Sequence, residues 1–255
     1  MIALITGASS GFGRAIALKF AEHGWDVIIT GRRKEKLEEL EHIILDTYET
    51  KVYSLCFDVR DRKQVKIELD ALPHFWKEID VLVNNAGIQF VSPIEDFPED
   101  KWDAIIGINL TSAFHLTKAV WKGMKERKFG RIINIASAHG LVASEFKSAY
   151  VASKHGIVGF TKTIALEGAP FGITANAICP GYVKTPLVEK QIADQAKAHS
   201  MSEADVVNKV MLYKQAVKEF VSLEELGQLA VFLASDVAKT MTGTALPVDG
   251  GWNAQ

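Results

Sequence analysis

A short apolar segment near the start of the chain runs directly into a glycine-rich turn. Met1 to Thr6 is typical of a buried strand, and Arg14 to Glu22 is typical of an amphipathic helix. Glycines between them let the backbone approach a pyrophosphate, and the N-terminus of the helix offers free N–H groups and positive potential. This order predicts a dinucleotide-binding unit, although a tight turn without a ligand has the same pattern. The turn residues predicted to hold the cofactor are Gly7, Ser9, Ser10, Gly11, Phe12 and Gly13.

The alternation of strand and helix continues through the rest of the chain. Further strand-like segments are Asp26 to Thr30, Val52 to Phe57, Ile79 to Val83, Arg131 to Ala136, Ile173 to Ile178 and Gly243 to Val248. Helical patterns lie between them, which predicts an α/β fold, a doubly wound parallel sheet with helices on both faces. We predict one domain over residues 1–255. The polar helical stretch at about 185–221 is longer than a simple crossover and predicts a lid.

The tips of the second and third strands carry charged residues. A basic tip, here Arg32 and Arg33, suits the 2′-phosphate of NADP, whereas an acidic one would bind the ribose 2′-hydroxyl of NAD. The arginine pair also fits a solvated charge run that opens a helix. Asp58, followed by Val59, is placed either to meet an adenine edge or to cap the helix that begins near Asp61.

Two asparagines are further candidates. The fourth strand runs into Asn85, Ala86 and Gly87, which are candidate cofactor contacts. An amide at a strand end can tie neighbouring strands or touch the cofactor, and for Asn85 we favour the structural role. Asn109 lies among apolar neighbours in the helical stretch Lys101 to Arg127. A buried amide must be satisfied, so Asn109 either bonds a backbone carbonyl or holds a water that leads to the active site.

One constellation suits proton transfer. Ser137 follows a predicted strand, and Tyr150 and Lys154 lie four residues apart on a predicted helix, where they share a face. An ammonium beside a phenol favours the phenolate and lowers its pKa from about 10. Tyr150 is therefore predicted to exchange a proton with an alcohol or carbonyl whose oxygen Ser137 also hydrogen-bonds. Taken alone, the four-residue spacing also occurs on solvated helix faces.

Composition limits the partners. Hydrophobic residues make up 48% of the chain and charged residues 24%, and the net charge of −2 gives no reason to expect nucleic acid or an anionic membrane. Cys56 and Cys179 have no metal-ligand spacing and are expected to be thiols of a reducing compartment. No apolar run approaches the ~18 residues of a membrane span, and the N-terminus has no charged leader, so we expect a cytoplasmic protein.

The whole chain resembles the short-chain dehydrogenase/reductase family. The motifs that carry the resemblance are TGASSGFG, Asp58-Val59, NNAG, Asn109, Ser137, YVASK and Pro180-Gly181. The resemblance implies a Rossmann-type NAD(P)-dependent oxidoreductase, a homotetramer, with a catalytic tetrad of Asn109, Ser137, Tyr150 and Lys154. Lys154 would also bind the nicotinamide ribose, and Asn109 would hold a water of the proton relay. Further cofactor contacts are implied for Pro180, Gly181, Val183 and Thr185.

From about residue 87 onward the chain also resembles the bacterial D-3-hydroxybutyrate dehydrogenases. The runs NNAGIQFVSPIEDFP, GRIINIASAHGLV, CPGYVKTPLVEKQI and VDGGWNAQ carry this likeness. It implies a small 3-hydroxy acid as substrate, (R)-3-hydroxybutyrate or acetoacetate, with its oxygen held by Ser137 and Tyr150. The residues implied to hold its carboxylate are Gln89, His139, Lys147, Gln191 and Trp252. A small anion needs a cation and several donors around a dry pocket, which these residues would supply.

The first 86 residues, with ITGRRKEKLEEL and LPHFWKEIDVLVNNAG, are more similar to NADP-dependent serine/3-hydroxy acid dehydrogenases. The chain thus has the character of a mosaic, for which we expect NADP, with NAD still open. Two other functions remain: an NADP-dependent reductase or dehydrogenase of other β-keto or 3-hydroxy acids, and a non-catalytic nucleotide-binding protein.

Overall fold

The structure, a computed structural model, describes residues 1–185, 188, 192, 196 and 201–254. Seven parallel strands form one sheet in the order β3-β2-β1-β4-β5-β6-β7. The strands are β1 Ile2–Ile5, β2 Asp26–Gly31, β3 Val52–Cys56, β4 Ile79–Asn84, β5 Gly130–Ile135, β6 Ile173–Pro180 and β7 Ala245–Val248. The strands β1, β2 and β3 follow one another outward on one side of the sheet, and the chain then crosses to β4 on the other side of β1. The strand order therefore reverses between β1 and β4. Open parallel sheets bind ligands at such a reversal, outside the carboxyl ends of the strands.

Helices cover both faces of the sheet, as the alternation of segments predicts. They are α1 Gly11–Glu22, α2 Lys34–Thr47, α3 Arg62–Asp70, α4 Glu99–Ile106, α5 Ser112–Arg127, α6 Ser148–Gly168 and α7 Leu223–Ala234. Helices α1, α2 and α7 bury apolar side chains on the sheet face that carries Ala3 and Ile5. Helices α3, α5 and α6 do so on the face that carries Ile2 and Leu4. Because every residue of β1 is buried, this strand has the apolar run of a doubly covered parallel sheet.

Two differences from the sequence predictions concern segments that lie near the predicted site residues. The strand predicted over Ile173 to Ile178 continues in β6 as far as Pro180, which pairs with Val248 of β7. Proline is tolerated there because it lies at the end of its strand. The helical stretch predicted over Lys101 to Arg127 is α4 and α5 joined by a wide π-type turn, Gly107–Thr111. Such turns are frequent at functional sites, and this one contains Asn109.

The insertion between β6 and α7 begins and ends at one place. The N–H of Val221 donates to the carbonyl of Tyr182 at 2.9 Å, and that of Lys184 donates to the carbonyl of Val221 at 3.2 Å. The described part includes a helical segment over Glu203–Asp205 and Val206–Met211. Part of the predicted lid, residues 186, 187, 189–191, 193–195 and 197–200, lies outside the described residues. Within those that are described, no helix is both long and apolar enough to cross a membrane.

Candidate active site

A cavity of about 1320 Å³ opens at the carboxyl ends of the central strands. It contains almost every site residue that the sequence predicts. Its predicted lining residues are Gly7, Ser9, Ser10, Gly11, Phe12, Arg32, Arg33, Asp58, Val59, Asn85, Ala86, Gly87, Gln89, Ser137, His139, Lys147, Tyr150, Lys154, Pro180, Gly181, Val183, Thr185 and Trp252. Gly13 and Asn109 do not line it, and Gln191 lies outside the described residues.

The glycine turn has the shape that a phosphate group needs. Gly7 and Gly11 take φ of +66° and +56°, a conformation that side chains disfavour. A Cβ at Gly11 would meet no atom within 4 Å, so the cavity reaches the backbone there. Ser10, the residue before α1, makes no side-chain cap, which leaves the N–H groups of the first turn to a ligand. Gly13 has a packing role instead, because a Cβ there would lie 2.4 Å from the carbonyl oxygen of Gly7.

Thr6 and Asn85 connect the glycine turn to β4. The hydroxyl of Thr6 accepts from the N–H groups of Asn85, at 2.9 Å, and of Ala86, at 3.0 Å. The amide of Asn85 donates to the carbonyl of Thr6 at 2.8 Å. The strand-tying role expected of Asn85 is therefore present in the structure. Thr6 was not singled out from the sequence, since a threonine at a strand end has no distinctive signal.

The two arginines after β2 have different partners. The guanidinium of Arg33 donates to the hydroxyls of Ser9, at 3.0 Å, and Ser10, at 2.7 Å. Arg32 lies 3.8 Å from the carboxylate of Asp58, which pairs more closely with Arg60, at 2.7 Å. The hydrogen bonds from Arg60 are the main reason that the pKa of Asp58 is lowered. Both arginines thus contact walls of the cavity.

Asp58 does not cap the helix that follows it. Asp61 performs that role, and its carboxylate accepts from the N–H groups of Lys63, at 3.0 Å, and Gln64, at 3.1 Å. Of the two alternatives for Asp58, the cap is therefore wrong. Its carboxylate instead lines the cavity beside Val59.

Asn109 is buried, and backbone groups satisfy it. Its amide oxygen accepts from the N–H of Ile88 at 2.9 Å, and its amide nitrogen donates to the carbonyl of Ile88 at 3.0 Å. The nitrogen also donates to the hydroxyl of Ser153 at 3.1 Å. The first of the two sequence alternatives is thus observed. Asn109 joins the π-type turn to the segment after β4 and to α6.

Ser137, Tyr150 and Lys154 converge at the end of β5. Lys154 lies one turn after Tyr150 on α6, and its ammonium donates to the carbonyl of Ile135 at 2.7 Å. Burial lowers the pKa of Lys154 to about 8. The hydroxyl of Ser137 lies beside Tyr150 and favours its phenolate. The three predicted side chains therefore meet in one place.

The expected direction of the Tyr150 pKa shift is wrong for this structure. Burial raises the pKa of Tyr150 above its ordinary value, and the hydroxyl of Ser137 opposes this only in part. The ammonium of Lys154 lies 5.6 Å from the centre of the Tyr150 ring. In a dry interior desolvation disfavours the charged form of both groups, so it raises the phenol pKa and lowers the amine pKa.

Aromatic rings pack together in one part of the cavity wall. The ring of His139 lies 6.0 Å from that of Tyr150 and 5.1 Å from that of Trp252, and Tyr182 stacks on Trp252 at 5.8 Å. Burial, followed by the charges of Lys147 and of a nearby lysine, Lys214, lowers the pKa of His139 to about 4. His139 is therefore a neutral ring near pH 7, in which one nitrogen donates a hydrogen bond and the other accepts one.

Lys147 supplies a cation to the same cavity. It is half-buried, and burial, with the charge of Lys214 as the second cause, lowers its pKa. Gln89 lines the cavity as well. Sequence reasoning missed Lys214 and Tyr182, because the polar pattern around Lys214 indicates only a surface helix and a tyrosine after Pro-Gly has no specific meaning.

Fold and site together define the class of protein. The chain belongs to the short-chain dehydrogenase family, whose family model matches residues 1–196. Membership of this family indicates a nicotinamide dinucleotide as cofactor, and the uncapped glycine turn fits its pyrophosphate.

Particular relatives are similar over the whole chain. A D-beta-hydroxybutyrate dehydrogenase of Rhizobium meliloti is 47% identical over 254 residues, which is 99% of this chain and 98% of the relative. One of Cupriavidus necator is 48% identical over 258 residues, with 99% and 98% covered. The likeness therefore includes the first 86 residues. A solved structure of a variant actinorhodin polyketide ketoreductase with NADPH has a TM-score of 0.91 at 32% identity, covering 100% of this chain and 97% of that one.

Proposed function

We propose that this chain transfers a hydride between a nicotinamide dinucleotide and a small 3-hydroxy acid, interconverting (R)-3-hydroxybutyrate and acetoacetate. One observation carries the proposal: Lys147 lines the same cavity as Ser137 and Tyr150, beside the neutral His139. A substrate whose alcohol lies two carbons from a carboxylate can engage both groups at once. The similarity to two hydroxybutyrate dehydrogenases supports the same substrate.

In the mechanism, Tyr150 moves the proton. In the direction of reduction its O–H gives a proton to the carbonyl oxygen, and in the direction of oxidation its oxygen receives the alcohol proton. Ser137 hydrogen-bonds the same substrate oxygen and orients it. Lys154, one helical turn away, stabilises negative charge on the Tyr150 oxygen when its amine is protonated. A nicotinamide cofactor, when bound at the glycine turn, would supply or accept the hydride.

The carboxylate is held at the other end of the substrate. Lys147 donates to it, with Gln89 and His139 as neutral donors, and we also assign Gln191 to this group from the family resemblance. Trp252 packs on His139 and Tyr182 and excludes water, which strengthens the charged contact. An anionic substrate is thereby favoured over a neutral one of the same size.

We propose NADP as the preferred cofactor. The support is Arg33, whose guanidinium lies on Ser9 and Ser10 at the glycine turn, with Arg32 nearby against Asp58. A basic group at this edge pairs with a 2′-phosphate, whereas Asp58 is already neutralised by Arg60. NAD is the alternative, in which the arginines open α2 as solvated charges.

Assembly and location belong to the proposal as well. We propose one domain with a helical lid at about 185–221, a homotetramer and a cytoplasmic location. Apolar side chains on the long helices support assembly, since Phe114 of α5 is 47% exposed and Leu166 of α6 is 79% exposed. Such helices could pair across two-fold axes.

A second candidate is an NADP-dependent reductase of other β-keto or 3-hydroxy acids. The cavity, about 1320 Å³ including the cofactor end, has room for a larger substrate, which supports this second candidate. The test of both is one assay panel: turnover of (R)-3-hydroxybutyrate, serine and larger hydroxy esters, each with NAD and with NADP. The proposal expects hydroxybutyrate to have the highest kcat/KM. A preference for the esters would favour the second candidate and overturn the first.

A further inference from the structure

A second cavity, of about 470 Å³, lies beside the substrate end of the first. The two cavities share walls, which include His139, Tyr182 and Trp252. Lys214 lines the second cavity and Lys147 lines the first, and neither lines both. The two lysines therefore line neighbouring cavities that have aromatic lining residues in common.

Aromatic rings border Lys214. Its ammonium lies 5.7 Å from the centre of the Trp252 ring and 5.8 Å from that of Tyr213. Contacts of this kind orient a lysine while leaving its charge in place. The charge also acts beyond its own cavity, because Lys214 contributes to the lowered pKa of both His139 and Lys147. A negative group bound near Lys214 would accordingly change the electrostatic potential at His139 and Lys147.

We propose that the cavity at Lys214 is a second carboxylate site, which captures small anionic substrates before they pass Trp252 to reach Lys147. This rests on the proposed function, since the ligand class is that of the 3-hydroxy acid. A cation in a cleft raises the local concentration of anions. The exposed carboxylate of Glu145 lines the same cavity and weakens this attraction. Removing its charge should therefore have the opposite effect to removing the charge of Lys214.

The experiment replaces Lys214 by Met, Arg and Glu and measures kcat/KM for (R)-3-hydroxybutyrate and for its methyl ester, at low and at high salt. Lys214→Met should lower kcat/KM for the acid about 3- to 10-fold at low salt, and less at high salt, because salt screens the attraction. Lys214→Arg should retain most of the activity, and Lys214→Glu should lose more than the Met variant. Glu145→Gln should change kcat/KM for the acid in the opposite direction.

Capture before the chemical step should appear mainly in KM. In the Lys214 variants we expect kcat for the acid to fall less than kcat/KM for the acid. The kcat/KM for the acid divided by that for the ester should decrease as the charge at position 214 becomes less positive. Lys209→Met is the matched control, because Lys209 pairs with Asp205 at 2.7 Å and lines neither cavity. Its acid-to-ester ratio should equal that of the parent.

Two results would overturn the second site. One is an equal loss on acid and ester in the Lys214 variants, which would mean that Lys214 only supports the fold. The other is a loss that does not follow the order Arg, Met, Glu. Either result leaves the proposed function intact if the parent prefers the acid. Absence of hydroxybutyrate turnover by the parent would instead refute the proposed function itself.

Discussion

The guanidinium of Arg33 donates a 2.7 Å hydrogen bond to the hydroxyl of Ser10, the residue that precedes α1. The same nitrogen donates to Ser9 at 3.0 Å. A positive group is thus held against the turn whose backbone N–H groups face the cavity. Arg32, its neighbour in sequence, is drawn instead towards Asp58. The two arginines should therefore contribute unequally to cofactor choice.

The first prediction follows from this difference. Arg33→Ala should weaken NADP by roughly 1.5–3 kcal/mol, about 10- to 150-fold, because a charge-assisted contact to the 2′-phosphate is lost. NAD, which lacks that phosphate, should change much less. Arg32→Ala should have the same sign and a smaller effect. Dissociation constants of both cofactors from fluorescence titration provide the measurement, and equal affinity of the parent for both would contradict NADP preference.

Tyr150→Phe is the second prediction. The ring and its contact with His139 remain, while the group that transfers the proton is removed. We expect near-complete loss of turnover, with the cofactor still bound at close to its normal affinity. Steady-state rates and a cofactor titration on the same preparation test both parts. If a tenth or more of the parent rate remained, Tyr150 would not be the proton donor.

The third prediction concerns the substrate cation. Lys147→Ala should lower kcat/KM for hydroxybutyrate by about 10- to 150-fold, since a buried ammonium–carboxylate contact contributes roughly 1.5–3 kcal/mol. A neutral keto ester of similar size should lose far less. The comparison of the two substrates is the measurement. Equal losses would show that Lys147 maintains the shape of the loop before α6 and does not bind the anion.

The fourth prediction uses the pH dependence of stability. The pKa of His139 is lowered from 6.5 to about 4 in the folded protein. Above pH 6.5 its ring is neutral in both the folded and the unfolded protein, so its ionisation does not change the free energy of unfolding there. As the pH falls from 6.5 towards 4 the unfolded chain takes up a proton that the folded one does not, and stability is lost by up to about 3 kcal/mol.

His139→Gln should remove this contribution, because glutamine does not titrate. Urea unfolding of parent and variant at pH 7.0 and at about pH 4.5 gives the difference. Carboxylates that titrate in the same range affect both proteins equally and cancel. A destabilisation by His139→Gln that is the same at both pH values would show that the folded protein protonates His139 readily.

Local patterns were sufficient for the architecture. Short apolar segments such as Ile79 to Val83 alternate with helical patterns, and this alternation predicts the strands of a parallel sheet. The spacing of Tyr150 and Lys154 also placed both on one face of α6 without knowledge of the fold, because helix geometry depends only on sequence separation.

Long-range packing decided the rest. The sequence determined that Arg32 and Arg33 are adjacent, but only the folded chain brings Ser10 to one and Asp58 to the other. Burial reversed the expected pKa shift of Tyr150, and burial is a property of the whole interior that no four-residue motif contains. Lys214 and Trp252 are 38 positions apart and meet only because β6, the insertion and the C-terminal turn pack at one end of the sheet. Contacts between distant segments depend on tertiary packing, and these contacts set the charge of the site.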